Sequence, residues 1–66
     1  MKINVALMED LRKEKGLSMS KISKMIGYKS EGAYQNKIKG RRKFNIKDLH
    51  NISIVLNVNL NKLIQL

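Results

Sequence analysis

Apolar residues recur along this chain at intervals of three and four, with polar residues between them. That period belongs to helices with one buried face, so the chain reads as all-α. Proline is absent, and glycine occurs only at positions 16, 27, 32 and 40. The first helix is expected to start after Asn4 as N-cap and to end at Lys15 before Gly16. Leu7, Met8 and Leu11 form its inward stripe. Glu9 and Asp10 lie early in it, while Arg12, Lys13 and Lys15 lie late, an order that complements the helix dipole. A second helix is expected over residues 19–26, capped by Ser18, with Ile22, Met25 and Ile26 inward and Leu17 packing from the preceding turn. Gly27 can take the left-handed conformation that stops it.

Ser30 is a good cap for a third helix over about 31–39, where Glu31 falls in the first turn and Tyr34 and Ile38 share a face. Gly40 ends it. After the loop Arg41 to Phe44, Asn45 caps a fourth helix, with Asp48 at the capping-box position and Phe44 and Leu49 placed for a hydrophobic staple. That helix is expected to bury Leu49, Ile52 and either Leu56 or Val55, and to stop at Asn57, which replaces glycine as the left-handed residue. Asn59 then caps a last short helix with Leu60, Leu63 and Ile64 inside. The expectation is therefore five short helices in a single domain over residues 1–66.

Charge sharpens this picture. The chain carries a net charge of +9, and the excess is local. Between Lys29 and Lys47 there are seven basic residues against Glu31 alone, a net of +6, while the other 47 residues share +3. Such a patch points to a polyanionic partner. Cysteine is absent, which removes disulfides and thiolate metal sites, and His50 is the one histidine, so neither a metal nor a cofactor is expected. His50 reads as a surface residue. The methionines at 8, 19 and 25 read as core filler. Catalysis finds no support: Glu9 and Asp10 read as an adjacent surface pair, the other acids are scattered, and no nucleophile–base pairing or phosphate-cradling glycine motif is visible. Glu9 and Asp10 also interrupt the apolar stretch of MKINVALMEDLRKEKG, so no secretory signal is expected. No apolar run approaches the roughly 20 residues of a membrane span. A cytoplasmic or nucleoid location follows as the expectation.

The second and third helices, joined by a tight turn at Gly27, fit a helix-turn-helix, in which the second helix of the pair enters the major groove. Residues off the Tyr34–Ile38 face are the candidate base readers: Ser30, Glu31, Gly32, Gln35, Asn36 and Lys39. Gln35 is the first choice, because it lies one turn after Glu31 on the same side. Gln35 and Asn36 carry amides that can pair with adenine, and Glu31 can accept from cytosine, although first-turn dipole compensation explains Glu31 equally well. Gly32 reads as a mid-helix glycine, explained either by close approach to DNA or by tight contact with the second helix. Lys29, Lys37, Lys39, Arg41, Arg42 and Lys43 are candidate phosphate contacts, joined by Ser18, Ser20 and Lys21 at the start of the second helix, with Lys24 nearby. Tyr28 is expected to pack over the turn with a wet hydroxyl, phosphate contact being the alternative.

The segments LRKEKGLS, IGYKS, KIKGRRKF and LNVNLNKL, in this order, resemble the phage repressor and Cro class (Xre-like) of helix-turn-helix regulators over about residues 7–64. The resemblance implies a compact five-helix, lambda-repressor-like domain. It further implies a transcriptional regulator that binds a palindromic double-stranded operator through half-sites. Met19 stands where the family often has a phosphate-binding glutamine, and Ser23 stands where alanine is common. The stretch from Gly27 to Gly40 is one residue longer than in the commonest members, which leaves the base-facing register open by one position. The chain ends soon after the fifth helix, an arrangement expected of a Cro-like regulator rather than a two-domain repressor. A weak homodimer, strengthened on DNA, is expected through Ile54, Val58, Ile64 and Leu66, with completion of the core as their other role. The alternative function is a protein-interaction module of the anti-repressor kind, which Met19 favours and the clustered charge opposes. Binding to a membrane surface is disfavoured, because the basic cluster spans a helix end and a loop instead of one helix face.

Overall fold

The computed structural model describes residues 2–65. Strand β1 (Lys2–Ile3) is followed by helices α1 (Val5–Glu14), α2 (Met19–Ile26), α3 (Ala33–Ile38), α4 (Ile46–Leu56) and α5 (Leu60–Leu63), then by strand β2 (Ile64–Gln65). The fold is all-α apart from the two short strands. These pair antiparallel, with Lys2 opposite Gln65 and Ile3 opposite Ile64, and the Asn4 N–H donates to the Leu63 carbonyl at 2.8 Å. This pairing was not among the expectations. Two residues at each end of the chain carry no alternating pattern, and their pairing spans almost the whole sequence.

The helix starts follow from short-range chemistry. Asn4 accepts from the Leu7 N–H at 3.1 Å, Ser18 from the Lys21 N–H at 3.0 Å, and Asn59 from the Asn61 N–H at 3.0 Å. Asn45 and Asp48 form a reciprocal capping box, at 2.7 and 3.0 Å, which satisfies two orphan donors at once. The stops are equally local. Gly27 (φ 97°) and Asn57 (φ 53°) are left-handed, and the next N–H in each case reaches back to a carbonyl inside the helix, Tyr28 to Ser23 at 2.9 Å and Val58 to Ser53 at 3.0 Å. Tyr28 and Val58 then fold against the core, the apolar contact that accompanies this stop.

Met8, Ile22, Tyr34, Leu49, Ile52, Leu56 and Leu63 are buried together. Every helix contributes, and α4 supplies three of the seven, so it is the post on which the others pack. The inward face of α2 is Met19, Ile22, Ser23 and Ile26. Met25 does not fill the core: it is 49% exposed, because Ser23 takes the inward position and turns Met25 off that face. The third helix also departs from expectation. It begins at Ala33, not at Glu31, and Gly32 occupies the cap position without a side-chain bond. Ser30 makes only a local turn, its hydroxyl accepting from the Gly32 N–H at 3.2 Å.

Leu49→Ala should cost about 2–5 kcal/mol, a large part of the total stability of so small a domain. Met25→Lys should change it by no more than about 0.5 kcal/mol. Urea unfolding followed by circular dichroism measures both.

Candidate nucleic-acid interface

Helix α3 has only six residues, too few to hold itself in place by burying an apolar face. Three polar anchors dock it, one on each of its neighbours. The Tyr34 hydroxyl reaches α1, where it donates to Glu9 Oε2 at 3.0 Å. The same carboxylate receives Arg12 Nε at 2.8 Å, and Arg12 also donates to the Leu17 carbonyl, so the end of α1, the following turn and α3 are tied in one network. Glu9 is therefore not the simple surface acid expected. Burial pushes its carboxyl pKa up, but the bonds from Arg12 and Tyr34 outweigh this and hold it below the usual value of 4.5. Burial, then the nearby Glu9 charge, raises the Tyr34 phenol above its ordinary value.

The second anchor is Lys37. Its Nζ donates to Asp48 Oδ2 at 2.9 Å and to the Lys43 carbonyl at 3.0 Å. It lies 5.2 Å from the Tyr28 ring centre and 5.9 Å from that of Phe44. With its side chain only 17% exposed, Lys37 turns inward and joins α3 to α4, where a phosphate contact had been expected. Asp48 resists ionisation through burial, yet the bonds from Lys37 and the Asn45 N–H hold its carboxyl below the ordinary value of 3.8. The Tyr28 hydroxyl is not wet. It is buried, without a hydrogen bond of good geometry among the described residues, and burial followed by the adjacent Asp48 raises its pKa.

The third anchor is Ser23 on α2. Its buried hydroxyl accepts from the Tyr34 N–H at 3.2 Å and donates to the Glu31 carbonyl at 3.1 Å. Tyr34 is the second residue of α3, so Ser23 supplies from a neighbouring helix the cap that Gly32 cannot.

With Tyr34, Lys37 and Ile38 inward, the outward edge of α3 follows. At about 100° per residue, Asn36 stands opposite the mean direction of Tyr34 and Ile38, with Lys39 beside it and Ala33 and Gln35 on its flanks. Gln35 loses its priority, because Glu31 lies before the helix instead of one turn below Gln35. Glu31 is exposed, its carboxylate 3.7 Å from Lys24 Nζ. A side chain added at Gly32 would meet only Ser30 Oγ, at 3.9 Å, so close packing on α2 does not explain this glycine. Ser30, Ala33, Asn36, Lys37 and Arg42 line one shallow cleft, which brings two candidate base readers beside a loop cation. Lys29, Lys39, Arg41, Arg42 and Lys43 are exposed around it, while Ser18, Ser20 and Lys21 sit at the start of α2.

Of the residues expected at a dimer contact, Ile54 is 64% exposed, whereas Val58 and Ile64 pack on the chain's own core. Leu66 lies outside the described residues. Among the described residues no helix is long and apolar enough to cross a membrane, and no three acids or histidines converge as a metal site would require.

Sequence reasoning missed the partners of Ser23, Tyr34 and Lys37, although Glu9 and Arg12 at i, i+3 carried a faint signal. Because Glu9 and Asp48 ionise more easily when folded, their contribution is present above their unfolded pKa values and is lost as pH falls through the lower folded ones. Stability should therefore fall below about pH 4.5. Tyr34→Phe should cost about 1–3 kcal/mol at neutral pH and make that acid dependence shallower, since one bond holding the Glu9 proton off is gone. Thermal melts across pH read both effects.

The helix-turn-helix family model of Cro/C1 type matches residues 8–63. No curated protein and no solved structure gives a significant match. The matched stretch holds all five helices apart from the first turn of α1. With α2 and α3 set about the Gly27 turn, the chain belongs to the Cro/C1-type helix-turn-helix family of DNA-binding transcription regulators.

Proposed function

We propose that this protein is a sequence-specific regulator of the phage or prophage repressor and Cro kind, reading operator half-sites in the major groove with α3. The observation that carries this reading is the outward Asn36–Lys39 edge of α3, flanked by exposed Lys29 and Arg41–Lys43 while Lys37 is held inside. Asn36 is the foremost base reader: its amide offers the donor and acceptor that adenine N7 and N6 require. Gln35, Ser30, Glu31, Gly32 and Lys39 frame it. Lys29, Arg41, Arg42 and Lys43 meet phosphates, as do Ser18, Ser20 and Lys21 around the free amides that open α2.

One six-residue helix covers a short half-site, so useful affinity needs two copies on half-sites about 34 Å apart. The exposed stripe Ile46, His50 and Ile54, four residues apart along α4, supports a weak dimer that DNA strengthens.

Selection from a randomised duplex pool, followed by titration of the winner across salt, tests the proposal. A palindromic motif is expected, with a log–log salt slope near −0.9 for each of roughly 5 or more phosphates. Asn36→Ala should lose about 1–3 kcal/mol and relax one base position, while Arg42→Ala should weaken all sites alike and flatten the slope by about one phosphate. Absence of any motif, with binding gone near physiological salt, overturns it.

A further inference from the structure

We infer that Ser23, though buried and out of reach of DNA, sets where the recognition helix begins and thereby which side chains it offers to the groove. The effect on DNA rests on the function proposed above; the effect on the helix stands without it.

Local chemistry favours an earlier start. Ser30 is a good N-cap, and Glu31 next to it suits a first turn. A helix from Ser30 would send the Tyr34 N–H to the Ser30 carbonyl and the Gln35 N–H to the Glu31 carbonyl, four residues back in each case. In the structure both bonds are pre-empted. The Tyr34 N–H goes to Ser23 Oγ at 3.2 Å, and the Glu31 carbonyl receives the Ser23 hydroxyl at 3.1 Å. The Ser30 carbonyl is left to a tighter turn, accepting from the Ala33 N–H at 3.2 Å. One hydroxyl thus competes for a donor and an acceptor that the longer helix needs, and alanine at the same position would offer neither bond.

The consequence reaches the reading face. With α3 beginning at Ala33, the Glu31 carboxylate stays beside Lys24. If residues 31 and 32 wound onto the helix, Gly32 would join the outward edge beside Asn36, while Glu31 would turn toward the Ile38 side and leave Lys24. A glycine on that edge lets a base approach the helix backbone closely, and Ser30 and Glu31 lose the positions they hold in the turn before Ala33. Ser23 is accordingly a positioning residue that determines specificity through Tyr34 and Glu31.

The test compares wild type and Ser23→Ala in two measurements. Backbone chemical shifts of the free protein locate the start of α3, and duplex selection reports the motif. In the variant, helical shifts should extend back to Glu31 and Gly32, and base preference facing the start of α3 should change on the order of tenfold, with the position read by Asn36 retained. Unchanged shifts overturn the inference, and a longer helix with an unchanged motif overturns its bearing on specificity. If Ser23→Ala does not fold, Ser23→Cys decides: the thiol nearly keeps the volume but bonds weakly, so both readouts should move in the same direction, and no movement overturns the inference. If wild type itself selects no motif, the proposed function has failed, while the chemical shifts still decide what Ser23 does to the helix.

Discussion

The structure depends on where Tyr34 is held. Its ring lies fully inside the core, its backbone N–H is capped by Ser23 of α2, and its hydroxyl ends on Glu9 of α1. One residue thus answers to two other helices at opposite ends of its own length. An aromatic ring tolerates such a site only when its polar tip finds a partner, since an unpaired hydroxyl in the interior is costly. Glu9 supplies that partner, and Arg12 keeps Glu9 ionised. Phe44 sets its ring edge-on to Tyr34, with centroids 6.4 Å apart, which carries the same constraint into the loop before α4.

A six-residue helix at the surface of so small a domain has a difficulty of principle. Its outward side must stay polar, and its inward side is too short for much apolar burial. Here the deficit is met by directional bonds: Ser23, Glu9 and Asp48 each hold α3 from a different helix. Directional bonds specify orientation as well as proximity, which apolar burial alone does not. The charge distribution fits the same logic. Lys37 is neutralised internally by Asp48, so the cations left in water nearest the outward side of α3 are those of the turn, the helix end and the loop around it.

The local features were the most legible. Asn4, Ser18, Asn45 and Asn59 cap helices because a short polar side chain reaches an amide two or three residues on, and such a bond needs no tertiary information. Gly27 and Asn57 stop helices for an equally local reason. Met25 was misplaced because helical spacing alone does not say which of several adjacent stripes faces the core, and a buried serine is invisible to an apolar pattern. Lys37 was misassigned because charge counts in a sequence do not reveal which cation will find a carboxylate across the fold.

By itself the sequence determined the five helices, the caps of four of them, the tight turn between the second and third, and the concentration of positive charge around them. These depend on neighbours within about one turn. The tertiary structure decided the late start of α3, the inward turn of Lys37, the pairing of the chain ends and hence the side of α3 that Asn36 and Lys39 share. Each of those rests on bonds between residues that the chain separates, such as Ser23 with Tyr34, Lys37 with Asp48, and Ile3 with Ile64. Such bonds form only when packing on α4 has brought the partners together, and no short-range pattern carries them.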